Sequence, residues 1–296
     1  MSEAVADSPP RSVSDEAVAP SQRDLDLAPR VPLGTAGVWG LRLGILAAVL
    51  LSWQFLPQIG WLRERSPVFD PFFVSSPSLV FDRLVDMATG ADGQPTVWPF
   101  LWDTLQGTFL GVAIGTLLGA LFGLLLSNSA TSRRVLSPYV TVLNATPRIA
   151  LIPIFVIIAG PTLTASVLTA VAVVFFLVFY NAFAGGVSVP QQTVQNARLL
   201  GASRAEVMRQ VRLPYVMVWT FASLPNAISF GLVAVVTAEI LTGRLGMGRL
   251  LFNSISSVDS TLTFCVVIVL SVVGVLLVTI SDAVQKRVLH WWEGSV

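Results

Sequence analysis

The chain has 296 residues, 54% hydrophobic and 12% charged, with a formal net charge of +1. Soluble globular domains carry about 25% charged residues, so this composition excludes one and points to an all-α polytopic membrane protein. The near-zero charge gives no ground for nucleic-acid binding, the lone Cys265 rules out an internal disulfide, and one histidine, His290, leaves a structural zinc site without ligands.

Residues 1–37 are rich in Pro, Ser, Asp and Ala and lack periodic apolar positions. Such a composition cannot bury enough surface to offset ordering entropy, so it reads as a disordered tail. The apolar run that follows begins too late and is too long for a cleaved signal peptide. A bilayer crossing needs about 20 mostly apolar residues. The run at 38–60 supplies the first, and an Asp-rich segment at 61–103 follows. A core over 104–285 holds five more: Thr104–Leu126, Val135–Ala159, Leu163–Phe183, Val216–Leu241 and Leu262–Ser281. Pro138, Pro147 and Pro153 interrupt Val135–Ala159, and Pro225 and Glu239 lie within Val216–Leu241. Gly107, Gly111, Gly115, Gly119 and Gly123 form a ladder at four-residue spacing. Small residues so spaced let helix backbones approach closely, within one chain or between chains.

The Lys/Arg distribution sets the orientation. With a cytoplasmic N-terminus, the inside receives Arg133, Arg134, Arg198, Arg204, Arg209, Arg212, Lys286 and Arg287, besides the tail arginines. The outside receives Arg63, Arg65, Arg83, Arg244 and Arg249. Both termini, including the 286–296 tail, are then cytoplasmic, and 61–103 is external.

One polar stretch, Asn196 to Tyr215, interrupts the apolar core. Leu199, Ala202, Met208, Val211 and Leu213 alternate with Arg198, Arg204, Arg209 and Arg212, which suggests one buried and one basic side. Gly201 marks a break. Ser203, with Glu206 three residues on, has the form of a capping box, and Pro214 is expected to end the helix before the next span. A basic amphipathic helix of this kind either lies on anionic lipid or docks on a cytoplasmic partner.

The sequence ARLLGASRAEVMRQVRLP resembles the coupling loop, the EAA loop, of ABC importer permeases. The family pattern falls on Gln195, Asn196 and Ala197, then Gly201, then Val211, Leu213 and Pro214. Gln195 and Asn196 depart from the usual Glu-Ala start. The resemblance extends over about residues 75–285 and is strongest to the sulfonate, taurine and nitrate type. In the fifth span Ser223-Leu224-Pro225 replaces a Gly-Leu-Arg common in the family, so a pathway contact made there in relatives is absent or moved.

The resemblance implies a type I ABC importer permease with about six spans in the bacterial inner membrane. The loop over 193–215, with Gln195, Ala197, Gly201, Ala202, Arg204, Glu206, Val211, Leu213 and Pro214, would lie in a groove of a separate ATPase. A second permease copy or close relative and an extracytoplasmic solute-binding protein would complete the assembly in membrane lipid. A P-loop needs Gly-Lys-Ser/Thr, and Lys286, the sole lysine, is followed by Arg287. ATP and Mg are therefore expected in the partner, no cofactor on this chain, and no catalytic residues here. The implied solute is a small anion such as an alkanesulfonate, taurine or nitrate. Relatives that carry vitamin precursors keep a neutral or cationic solute open. A passive channel would differ in needing no ATP.

Candidates for the translocation path are Asn144, Arg148, Asn181, Asn226 and Glu239. Arg148, between Pro147 and Pro153, is an ionisable group at membrane depth, where such groups are expensive and functional. It would either draw solute, pair with Glu239, or be capped by carbonyls that the prolines free. Glu239 would otherwise sit at the outer interface, where charge is cheap. The asparagines also serve as helix–helix glue.

Overall fold

The computed structural model describes residues 35–61, 70–90, 95–128, 134–135, 138–139, 141–142 and 148–290. Every regular element among them is helical. The chain divides into two compact units, residues 1–51 and 52–296. The expected tail falls on 1–34, outside the described residues. Helix α1, Thr35–Phe55, is mostly apolar, starts earlier than the expected residue 38, and is followed by a 3-10 turn, Leu56–Gln58. The Arg42 guanidinium lies over the Trp39 ring, 5.0 Å from its centre, so the charge near the start of the span has a local partner.

In the second unit two short helices precede the core, α2 (Pro71–Val74) and α3 (Pro77–Thr89). Pro77 opens α3, where a missing N–H costs nothing, and Gly90 ends it in the left-handed region at φ 72°. Helix α4 spans Trp98–Ser127. It starts ahead of the expected Thr104 because Pro99 sits in its first turn, where proline favours initiation. Next come a 3-10 turn, Arg148–Leu151, and α5, Ile152–Ala159. The rest of the third expected span lies largely outside the described residues. Helix α6 (Leu163–Val187) precedes the loop helices α7 (Gln191–Leu199) and α8 (Arg204–Glu206). Helices α9 (Leu213–Thr242), α10 (Met247–Ser256) and α11 (Ser260–Val288) complete the fold. Among the described residues, five helices are long and apolar enough to cross a bilayer.

The core is the packing of α4, α6 and α9. The glycine ladder makes it, and within this chain. A Cβ on Gly115 would stand 2.9 Å from Val174 Cβ, and one on Gly119 would stand 2.8 Å from the Phe175 carbonyl. Gly111 and Gly123 meet Ala170 and Ala182 in the same way. Gly107 faces Val235 of α9, and Gly231 of α9 leaves room for Val112 and Val174. A second cluster joins α3, α10 and α11 through Val80, Met87, Val97, Met247, Cys265 and Val266.

Pro214 does not end the loop helix. The residues from Arg204 to Thr242 form one continuous helix of 39 residues, with a π-turn at Val207–Arg212. An in-helix proline removes an N–H and pushes its ring against the carbonyl four residues back. The widened turn just before Leu213 and Pro214 relieves both problems.

Candidate functional site

The loop between α6 and α9 is built from local signals. Helix α7 starts at Pro190, whose fixed φ of −59° suits its N-cap. It ends in a Schellman motif. Gly201 N–H donates to Arg198 O at 3.0 Å, and Ala202 N–H donates to Ala197 O at 3.0 Å. The motif needs a left-handed residue, and Gly201 supplies it at φ +88°. Ser203 then caps α8. Its Oγ accepts from Glu206 N–H at 3.3 Å and its N–H donates to Glu206 Oε2 at 2.7 Å, so the expected capping box is formed. These bonds, that from the Ser203 backbone first, hold the Glu206 carboxyl below its usual range.

The expected buried side of this loop is not there. Leu199 and Leu200 are 85% and 89% exposed, the most exposed large apolar side chains of the chain's described part. They stand at the loop's tip, beside Gly201, with Gln195, Arg198 and Arg204 exposed around them and Ala197 and Ala202 half-buried. Burial begins with Val207, 4% exposed, and Val211, Leu213 and Pro214 are intermediate. Helical periodicity marked Leu199 as apolar without saying what covers it, and among the described residues nothing does. At its base the loop is fastened to α4, where Arg212 Nη1 donates to the Ser127 carbonyl at 3.0 Å.

No hydrogen bond among the described residues joins Asn181, Asn226 and Glu239. Asn144 and the side chain of Arg148 lie outside the described residues. Asn181 donates to the Leu177 carbonyl of its own helix at 2.8 Å. Asn226 is exposed on α9, on a face that also presents Ala222, Ser229, Phe230 and Val233. One reading put Glu239 at the outer interface, where charge is cheap; its side chain is instead fully buried, where charge is costly. Its carboxylate accepts from Thr104 Oγ1 and from Gly248 N–H, each at 2.9 Å. Thr104 and Gly248 were not singled out from sequence. They lie 135 and 9 residues away from Glu239, and only the fold joins them. A cavity of about 670 Å³ lies between α4, α9 and α11, lined by residues including Trp102, Phe109, Leu224 and Ile228. Its walls are almost wholly apolar, which does not suit a charged solute.

The family model for the binding-protein-dependent transport system inner membrane component matches residues 111–292. The chain is 27% identical to the taurine transport system permease protein of Escherichia coli, over 86% of this chain and 90% of that one. It is 23% identical to the riboflavin transport system permease protein of Chloroflexus aurantiacus, over 53% of this chain and 59% of that one. It is 26% identical to the nitrate import permease protein of Leptolyngbya laminosa, over 56% and 60%. Its fold is similar to that of the MetNI methionine ABC transporter in an inward-facing conformation, with a TM-score of 0.57 and 19% identity over 65% of this chain and 95% of that one. A crystal structure of an amino acid ABC transporter with histidines gives a TM-score of 0.55, at 23% identity over 68% and 98%. With a model matching most of its length and a type I importer fold, the chain belongs to the inner membrane components of binding-protein-dependent transport systems, and it is a permease subunit of an ABC importer.

Proposed function

We propose that this permease moves a small organic or inorganic anion, of the alkanesulfonate, taurine or nitrate class, with two copies of the chain forming the path. The relative named for taurine transport supports the solute class, since it aligns over nearly its whole length. The relative named for riboflavin favours a second reading, a vitamin-like solute. Calorimetry of the cognate binding protein against taurine, an alkanesulfonate, nitrate and riboflavin separates the two.

The observation that carries the coupling role is the exposed Leu199–Leu200 pair, held out on a left-handed glycine turn. Two adjacent leucines in water at a helix end are costly, about 1.5–3 kcal/mol each if later buried. They suit a hydrophobic groove on a separate ATPase, and Arg198, Arg204 and Arg209 give the rim of the contact its charge. ATP hydrolysis belongs to that subunit, and this chain binds no cofactor. Closure of two ATPases would move two permeases as rigid bodies between inward- and outward-facing states. The open face of α9, with Asn226 and Ser229, supports a path completed by the second copy, because the cavity within one chain is apolar.

Gly201→Asp tests the coupling. Beyond its chain neighbours, no described atom lies within 4 Å of a Cβ there, so an aspartate meets no clash within the loop, although φ +88° strains it, and its charge would intrude on an apolar docking groove. The variant is expected to insert normally, to lose most of its co-purifying ATPase, and to lose ATP-driven uptake in proteoliposomes. Normal ATPase recovery with normal uptake would refute the coupling role.

A further inference from the structure

Glu239 is fully buried in α9, outside the coupling loop. Thr104 Oγ1 of α4 lies 2.9 Å from both carboxylate oxygens. Oε2 also accepts from Gly248 N–H at 2.9 Å, while Met247 N–H donates to Thr104 Oγ1 at 2.8 Å. One carboxylate and one hydroxyl thus satisfy two of the otherwise orphaned N–H groups that open α10. The surrounding glycines are shaped to this arrangement. A Cβ on Gly246 would overlap the Glu239 carboxyl, and a Cβ on Gly248 would overlap the Val236 carbonyl. A second tie runs alongside, an ion pair of 2.6 Å between Arg244 and Asp103.

Stability alone does not explain a carboxylate here. A buried charge is costly even when hydrogen-bonded, and well-packed apolar residues often do as well or better. What the carboxylate does supply is direction: it accepts only where Thr104 and Gly248 present their protons, so it fixes α10 against both α4 and α9. The same helix that ends at this knot begins at the coupling loop, since Arg204–Thr242 is continuous. From Glu206 to Glu239 it reaches about 50 Å at 1.5 Å per residue.

We propose that Glu239 is a positioning residue that fastens α10 to the end of α9 farthest from the coupling loop, so that the hairpin at that mouth moves as one body with the helix the ATPase drives. The proposal rests on the coupling reading above.

Glu239→Leu keeps most of the volume and removes both acceptor oxygens, so the Thr104 hydroxyl and Gly248 N–H lose their partner; glutamine would not serve, because one amide oxygen at the Oε2 position can accept from both. Thr104→Val removes the hydroxyl, and Thr104→Ser restores it. Each variant is purified with its ATPase and reconstituted with binding protein. Spin labels replace Phe109 of α4 and Phe252 of α10, both exposed, in a Cys265→Ser background, and pulsed electron resonance reads the distance between them. Glu239→Leu and Thr104→Val are expected to keep the ATPase and its basal hydrolysis. They should lose stimulation by loaded binding protein at least tenfold and broaden the distance distribution. Thr104→Ser should match wild type. Normal stimulation with an unchanged distance distribution in Glu239→Leu overturns the proposal. If Glu239→Leu does not insert, the same normal behaviour in Thr104→Val overturns it. If Gly201→Asp transports normally while Glu239→Leu broadens the distance and loses stimulation, the coupling-loop assignment fails and the fastening role stands.

Discussion

Ser203 fixes where the second helix of the loop begins, and its two hydrogen bonds with Glu206 are what a docking partner would grip or release. Removing an N-cap hydroxyl costs about 1 kcal/mol, which is a factor of about 5 in an opening equilibrium at 1.4 kcal/mol per decade. Ser203→Ala should therefore speed amide exchange at Glu206 and Val207 about fivefold, read by mass spectrometry, and leave α9 protected beyond the π-turn. The box should also outlast mild acid. Hydrogen bonds hold the Glu206 carboxyl below its usual range, so the interaction is fully present above the ordinary carboxylate range and is lost as pH falls through the lowered value. Arg148 is a different case at the same scale. It begins the 3-10 turn Arg148–Leu151; within the expected third span an ionisable side chain would be expensive to keep. If it draws anions toward the midplane, Arg148→Gln should lower uptake several-fold while the ATPase still co-purifies and the binding protein still takes up solute. Wild-type uptake would return Arg148 to a structural role.

Helix α4 shows how one pattern fixes an element's neighbours. Alanine favours a helix over glycine by about 1 kcal/mol, so substitution at the ladder sets that gain against the space available. At Gly119 the new Cβ would stand 2.8 Å from the Phe175 carbonyl and 2.9 Å from the Phe179 nitrogen, both backbone atoms that cannot step aside. At Gly107 it would stand 3.1 Å from a methyl of Val235, a side chain that can. Overpacking costs about 1–3 kcal/mol, so Gly119→Ala should lower the thermal midpoint of the purified permease and Gly107→Ala should leave it nearly unchanged. Equal midpoints for the two would show that the ladder is not an α4–α6 contact. The ladder was legible in the sequence because it is local and periodic, as were the Gly201 turn and the Ser203–Glu206 box. Its partner helix was not legible, since four-residue spacing serves contacts within and between chains alike. Pro214 misled for the opposite reason. A proline forbids an ordinary helical turn, yet the π-turn at Val207–Arg212 is a long-range compromise between the loop and α9 that leaves no mark in composition. Leu199 was read as buried because periodicity reports that a face is apolar and not whether its cover belongs to the same chain.

At the scale of the whole molecule the open quantity is direction across the membrane. By length and composition, five helices among the described residues can cross a bilayer. With the expected third span counted among them, alternation would put the Asn196–Tyr215 loop on the side of both termini and the 61–103 segment on the other. Which side is cytoplasmic depends on charge. Arginines cluster at Arg133, Arg134, Arg198, Arg204, Arg209 and Arg212 on the loop side, with Lys286 and Arg287 following α11, against Arg63, Arg65, Arg83, Arg244 and Arg249 opposite. The bias follows the positive-inside rule only if the loop is cytoplasmic, and ATP is available only there. That orientation would place α10, and Glu239 with it, at the outer mouth. Single cysteines at positions 92 and 204 in a Cys265→Ser background decide it. An impermeant thiol reagent applied to intact spheroplasts should label position 92 and spare 204 until the membrane is opened. The reverse pattern would turn the molecule over, put Leu199 and Leu200 beyond the reach of any ATPase, and leave the coupling loop without a role.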